Sequence, residues 1–201
     1  MACGPGKDTT RNRNDTMDVI DKLAGLAPGS HMRAARPVAR ENAQKSHDAL
    51  FAATGGMPMA ERLAVAAFVA GLIRDEPAIA HYTDLLAASD AGLGDAVALA
   101  VVDGLTDGPY GAYPPGPLSV EDAPGLIFEA DKDALGPRLA AAFDYAHMLV
   151  FHPRDAARAD METLTAAGWD ATDIVTLSQL VAFLNFQIRA AAGLKVLAST
   201  L

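Results

Sequence analysis

The sequence predicts an all-α protein, and three observations lead to that prediction. Residues 63–73 are all Leu, Ala, Val, Phe, Gly or Ile. A helix that is apolar on every side belongs inside a core, because none of its faces can be left to water. A second such segment, residues 180–186, is interrupted only by Asn185. The composition, 51% hydrophobic but only 6% aromatic and rich in alanine, favours closely packed helices over sheets.

Length, charge and cysteine content limit the kinds of function that we expect for this chain. The 201 residues are enough for a sizeable core, and we expect an N-terminal tail with a short helix over residues 1–32 and a helical domain over 33–201. The net charge of −9 argues against nucleic acid and against an anionic membrane surface. Cys3 is the single cysteine, which excludes an intrachain disulfide. With no secretion-signal pattern and no apolar run of bilayer length, we expect a soluble cytoplasmic protein.

The N-terminal half reads as helices separated by cap and breaker residues. Residues 1–15 are polar and predict a tail, after which Thr16 is expected to cap a short helix. Asp75 is a candidate N-cap with Pro77 in the first turn that follows, and Asp95 is a candidate N-cap of the next helix. The predicted helices cover residues 37–53, 60–73, 75–88 and 96–105.

The C-terminal half begins with a long irregular connection, residues 106–121, which contains four prolines. It could be a domain linker, a functional loop or a subunit contact. Beyond it, Gly168 is expected to end a helix in the left-handed conformation, and Thr172 with Asp173 to open the last one. The predicted helices cover residues 137–150, 155–167 and 172–192.

Two groups of residues carry a resemblance to a known family. Glu61-Arg62, the apolar run, a break and then His81, twenty residues after Glu61, resemble the core of the AhpD-like alkylhydroperoxidase and carboxymuconolactone decarboxylase superfamily. The order of motifs beyond Phe143, ending in Asn185-Phe186-x-x-Arg189, is similar to peroxidase-related members. The resemblance covers most of the chain beyond about residue 33, and it implies an AhpD-like multi-helix bundle that assembles as a trimer or hexamer.

The chain departs from that family at the reactive sulfurs. Thiol-active members have Cys-x-x-Cys at the break, four residues ahead of the histidine, and these positions are Arg74 and Pro77 here. A thiol peroxidase needs a thiolate to attack the peroxide and a second cysteine to resolve the sulfenic acid. Cys3 would have to reach in from the tail. The sequence therefore predicts that thiol peroxidase chemistry has been lost.

Glu61 and His81 are the candidate catalytic residues, as an acid–base pair. Each also has an ordinary alternative. Glu61 could be a first-turn carboxylate satisfied by the helix dipole and Arg62, and His81 could be a core histidine with a backbone partner. The five histidines and the carboxylates show no recognisable metal-ligand spacing, so no metal and no cofactor is expected.

Three further residues are candidates for substrate binding. Arg74, at a helix N-terminus, could form an anion site, or pair at the surface with an adjacent acid. Asn185 must find hydrogen-bond partners inside the core, either by lining a cavity or by bridging helices. Arg189, one turn later, could pair with Glu61 or extend into solvent.

Two hypotheses for function follow. The first is a peroxidase-related enzyme without the cysteine pair, in which Glu61 and His81 move protons on a small organic substrate. The second is a non-catalytic member of the same fold that binds a small ligand or a partner protein. A third, peroxide reduction through Cys3, remains as a residual alternative.

Overall fold

The computed structural model describes residues 17–52 and 56–200, and this part of the chain is helical with a single isolated β-bridge. The all-α prediction is confirmed. Short 3-10 helices occur at Pro117–Glu121 and Pro153–Asp155. The α-helices, in chain order, are α1 Val19–Leu23, α2 Pro37–Leu50, α3 Met59–Ile73, α4 Glu76–Ser89, α5 Gly94–Gly104, α6 Lys132–Phe151, α7 Arg158–Ala166 and α8 Ala171–Ser199.

Helix α3 is the centre of the bundle. Every residue from 62 to 72 is buried, as the absence of polar side chains over most of this run predicts. Helices α4, α5, α6 and α8 surround it. The rings of Phe68 and Phe143 stack with their centroids 4.3 Å apart, which joins α3 to α6. Gly71 allows α5 to approach closely, because a Cβ built there would lie 2.5 Å from a methyl carbon of Val101.

Helix α8 is the second long core element, but only one side of it is buried. Its buried residues include Leu177, Leu180, Leu184 and Ile188. Phe186 is 54% exposed, so the prediction that this helix is buried all round is wrong. By length and composition α8 could also span a bilayer, with a mean hydropathy of 1.4 over an 18-residue window that is 33% buried. Core helices of soluble proteins share these properties, and α8 packs against α1, α2, α3 and α6.

Several predicted helix boundaries were correct. Asp75 caps α4 by accepting from the Ala78 amide at 3.0 Å. Gly168 ends the segment after α7 with φ +94°, where glycine avoids the Cβ clash of other residues. Arg74 also has a positive φ, 62°, and terminates α3. The αL conformation at a helix C-terminus explains the sharp turn from α3 into α4.

Other boundaries were misplaced, mostly because an earlier residue caps the helix. Asp95 lies in the first turn of α5, whose N-cap position is Leu93. Helix α6 is broken at Gly136, φ +74°, so its long part begins at Pro137 as predicted, and only the preceding segment from Lys132 was missed. Asp170, not Thr172 or Asp173, caps α8 and accepts from the Asp173 amide at 2.8 Å. The helix then continues to Ser199 rather than 192.

The N-terminal predictions lie partly outside the described residues. The tail, Cys3 and the predicted Thr16 cap all fall in residues 1–16. Within the described part, Asp18 caps α1 and accepts from the Asp21 amide at 3.0 Å. Helix α1 packs against α8, α2 and α4, with Ile20 and Leu23 buried. The proposed division between residues 32 and 33 stays a prediction.

Candidate functional site

Glu61 lies in an ion network that joins three helices. Its carboxylate accepts from Arg138 Nε at 3.0 and 3.2 Å, and Arg138 Nη2 donates to Asp173 Oδ2 at 2.9 Å. The same guanidinium donates to the carbonyl of Gly168 and lies 4.1 Å over the ring of Trp169. We refer to Glu61, Arg138 and Asp173 as the arginine network. It ties the starts of α3 and α8 to α6.

The arginine network corrects one expectation from the sequence. Glu61 pairs with Arg138 rather than with Arg62, because the Arg62 guanidinium turns toward the chain between α2 and α3. It donates to the carbonyl oxygens of Met57 at 2.9 Å and Leu50 at 2.6 Å. Arg62 therefore holds the connection between two helices, while Arg138 carries the charge pairing with Glu61.

His81 lies in a different set of contacts. Lys22 Nζ donates to His81 Nδ1 at 3.2 Å, and the ring of Tyr82 lies 4.9 Å away. Burial, followed by the charges of Lys22 and His47, lowers the pKa of His81 to about 4. At neutral pH the imidazole is therefore uncharged. Because Lys22 donates to Nδ1, the ring hydrogen belongs on Nε2.

A buried polar cluster surrounds His81. The hydroxyl of Tyr82 donates to Gln187 Oε1 at 2.9 Å, and both residues are fully buried. The rings of Phe51 and Tyr82 stack at 5.7 Å, and the ring of His47 lies 4.8 Å from Phe51. These contacts connect α2, α4 and α8. We refer to His47, His81 and Gln187 as the histidine cluster.

Three nitrogen atoms of the histidine cluster are buried without a hydrogen-bond partner among the described residues: Nε2 of His47, Nε2 of His81 and Nε2 of Gln187. Buried polar groups in native proteins are nearly always paired with protein, water or ligand. Burial also lowers the pKa of His47. The three atoms belong to three helices, and water or a bound molecule would complete their hydrogen bonds.

The predicted site residues have separate partners in the structure. No hydrogen bond joins Glu61 to His81 in the described part of the chain, and their shared acid–base role stays a prediction. Arg74 is exposed and pairs with Asp107 at 3.2 Å, rather than with its sequence neighbours. Asn185 donates to the carbonyl of Val181 in its own helix at 3.0 Å. Arg189 is exposed.

Gln187 is not among the residues predicted from the sequence, although the sequence contains a signal for it. The buried positions of α8 include Leu180, Leu184, Gln187 and Ala191, which recur every three or four residues as one helical face requires. Gln187 is the polar member of that face. Asn185 drew attention because it interrupts an apolar run, but it lies beside the buried face.

Solved structures with the same fold were found. A peroxidase-related protein from Ralstonia eutropha, described as an alkylhydroperoxidase AhpD core, is 20% identical with a TM-score of 0.58. An uncharacterised peroxidase-related protein from a Silicibacter species is 16% identical with a TM-score of 0.59. Each comparison covers 87% of this chain and 78% of the other. The chain has the AhpD-like fold, which confirms the resemblance at the level of fold.

Comparisons by sequence gave no match. No family model matches the chain, and no curated protein is similar to it in sequence.

Proposed function

We propose that this AhpD-like protein binds a small carbonyl compound at the histidine cluster and transfers a proton there without thiol chemistry. The observation that carries the proposal is the set of three unpartnered buried nitrogens on His47, His81 and Gln187. A single cysteine cannot supply the resident dithiol that AhpD-like peroxide reduction requires. Arg74 and Pro77 stand where the resemblance places those cysteines.

The hydrogen-bond roles of the three nitrogens suit proton abstraction next to a carbonyl. His47 Nδ1 lies 3.5 Å from Asp48 Oδ1, so its hydrogen belongs on Nδ1 and its lone pair on Nε2. His81 Nε2 and the Gln187 amide are hydrogen-bond donors. The cluster therefore combines one acceptor with two donors.

The proposed step uses this combination directly. His47 Nε2 takes the proton from the carbon next to the carbonyl, and the electron pair moves onto the carbonyl oxygen. The resulting enolate oxygen accepts hydrogen bonds from His81 and Gln187, which stabilise the charge that develops. Return of the proton to carbon completes an exchange or an isomerisation. In this proposal Glu61 supports the fold through Arg138.

Solvent-hydrogen exchange tests the proposed step. A panel of small lactones and ketones, beginning with γ-butyrolactone, is incubated with the full chain in D2O, and loss of the α-proton signal is followed by NMR. We expect exchange above the buffer rate, its loss in His47→Gln and at least a tenfold reduction in His81→Gln. His31→Gln, at an exposed position, is the matched control. Exchange that is equal in all three variants, or absent with every compound, overturns the catalytic proposal.

A second candidate is a ligand-binding protein without turnover. It is favoured by the lowered pKa values of His47 and His81, since an imidazole that resists protonation is a weak base. In that case members of the same panel bind and shift the side-chain signals of the cluster. Binding without exchange would select this candidate.

We also propose that the chain self-associates through α8. Val175 and Phe186, eleven residues apart, and Leu197, eleven further on, are 55%, 54% and 47% exposed. Eleven residues are close to three helical turns, so these side chains form one apolar stripe. Light scattering in detergent-free buffer should show an oligomer that Phe186→Glu dissociates, while Val120→Glu, at a residue 89% exposed, does not. A monomeric parent protein overturns this part of the proposal.

A further inference from the structure

A second group of polar side chains lines a cavity beside α6. Its volume is about 410 Å³, within the range of ~300–1,000 Å³ that small-molecule sites occupy. Its lining combines aromatic and apolar walls with three aspartates and two histidines: Phe128, Tyr145, Met148, Asp144, Asp155, Asp160, His147 and His152 among them. None of these residues belongs to the histidine cluster or the arginine network.

His147 is the member of this cavity that most clearly lacks a partner. It is 1% exposed, and its Nε2 lies 3.0 Å from the carbonyl oxygen of Gly104. A carbonyl accepts only, so the ring hydrogen belongs on Nε2 and the lone pair on Nδ1. Nδ1 is buried without a partner among the described residues. Burial lowers the pKa of His147 to about 4, so at neutral pH Nδ1 is unprotonated and can accept a hydrogen bond.

The carboxylates around the cavity are also acceptors. Asp144 Oδ1 accepts from the Ala130 amide at 2.7 Å, which leaves Oδ2 for a ligand. Asp155 Oδ2 lies 3.0 Å from His152 Nδ1. Asp160 Oδ2 accepts from the Ala157 amide at 2.7 Å. An occupant must therefore donate hydrogen bonds rather than accept them.

The charge of the lining matches a cation. No lysine or arginine lines the cavity in the part of the chain that the structure describes, although Lys132 lies near enough to act on Asp144. Burial raises the pKa of Asp144, which means that its carboxylate has lost water and gains from a positive partner. Phe128 and Tyr145 also line the cavity, and aromatic rings attract ammonium groups.

We propose that this cavity binds a small organic cation, a primary amine or a guanidine, whose N–H groups donate to Asp144 and to Nδ1 of His147. An organic cation fits better than a metal ion, because no three of the described His, Cys, Asp and Glu side chains converge closely enough to hold one. The cation site is independent of the proposed proton transfer, since it uses none of the residues of the histidine cluster.

Calorimetric titration of the full chain tests the inference with two probes, 1,4-diaminobutane and agmatine. We expect saturable binding of at least one of them. Butane-1,4-diol, which is neutral, and succinate, which is anionic, should not bind. Failure of both cations to bind, or equal binding of the diol or succinate, overturns the proposal.

A pair of charge-matched variants locates the binding. Asp144→Asn keeps an acceptor for the Ala130 amide but removes the charge, and it should weaken cation binding at least tenfold. Asp95→Asn, an exposed change of the same charge on α5, should leave binding within twofold of the parent. Circular dichroism melting confirms that both variants are folded. Equal affinities for the two variants place the cation elsewhere and contradict the proposal.

Discussion

The arginine network and the histidine cluster are two polar groups in one bundle that differ in how they are paired. Ion pairs hold the first, in which Asp173 Oδ1 alone is buried without a partner among the described residues, and the second leaves three buried nitrogens unpartnered. In the first, Glu61 and Asp173 both pair with Arg138, which also has an aromatic face and a carbonyl as partners. In the second, His47 and His81 each keep a buried nitrogen without a partner among the described residues. Ion pairs between neighbouring helices fix those helices in place. Three unpartnered donor and acceptor atoms are suited to hydrogen bonds with another molecule.

The largest expected effect comes from removing the centre of the arginine network. Arg138→Ala leaves the Glu61 and Asp173 carboxylates without their cation, and breaking such a largely buried pair costs about 3 kcal/mol in the free energy of unfolding. Urea unfolding at pH 7 measures it. Arg158→Ala is the control, because its pair with Glu162 is exposed and should contribute less than about 0.5 kcal/mol. Similar losses in both variants would show that the network contributes little to stability.

A smaller loss is expected when one polar partner is removed from the histidine cluster. Tyr82→Phe leaves Gln187 Oε1 buried without its donor, which costs about 1–3 kcal/mol. The double variant Tyr82→Phe/Gln187→Met removes both polar groups and should recover to within about 1 kcal/mol of the parent. Urea unfolding of the single and double variants tests this. A double variant less stable than Tyr82→Phe alone would argue that the Gln187 amide already has a partner.

The low pKa of His81 predicts a pH dependence of stability. Its folded pKa, about 4, lies below the unfolded value of ~6.5, so the unfolded chain binds a proton that the folded chain does not. The contribution of His81 to the free energy of unfolding is complete above about pH 6.5. This contribution falls by up to ~1.4 kcal/mol per pH unit as the pH drops toward 4.

His81→Gln should remove this one-proton component. Unfolding curves between pH 7 and pH 4.5 should be shallower for the variant than for the parent, but not flat, because His147 behaves in the same way. His31→Gln should leave the slope unchanged. Parallel curves for the parent and His81→Gln would mean that His81 titrates normally in the folded protein.

The smallest effect concerns the charge next to His81. Lys22 lowers the pKa of His81, so Lys22→Met should raise it, by less than one unit because Lys22 is exposed and screened by solvent. The His81 Cε1 proton, followed by NMR titration, reports the shift. Asp84→Asn should move the pKa in the opposite direction, since Asp84 raises it. A change of the wrong sign in either variant would contradict the arrangement of charges.

Features that depend on neighbouring residues could be predicted from the sequence, and features that depend on long-range contacts could not. Helix α3 and the caps at Asp75 and Gly168 depend on residues close together in the chain, and local patterns indicate them well. The partner of Glu61 is Arg138, 77 residues away, and no local pattern connects the two. To predict that Gln187 is buried, one must know which face of α8 turns toward the core. The sequence of a helix that is apolar on almost every side does not reveal this.

Because the two cysteine positions of the family pattern are Arg74 and Pro77 here, the fold alone does not establish the function. Structures that are 16% and 20% identical establish the arrangement of helices but not the chemistry. Arg74, at one of the positions of the reactive cysteines in the resemblance, pairs with Asp107 at the surface. The cytoplasmic location and the oligomeric assembly stay predictions.

The most direct test of the account is an NMR titration of the side-chain nitrogens with γ-butyrolactone or whichever panel compound binds. We predict that the Nε2 signals of His47 and His81 and the side-chain amide signal of Gln187 shift together and saturate, while the Arg138 Nε signal, held by Glu61, does not move. Saturable shifts at Arg138 with an unchanged histidine cluster would contradict it and would restore Glu61 as the centre of the site.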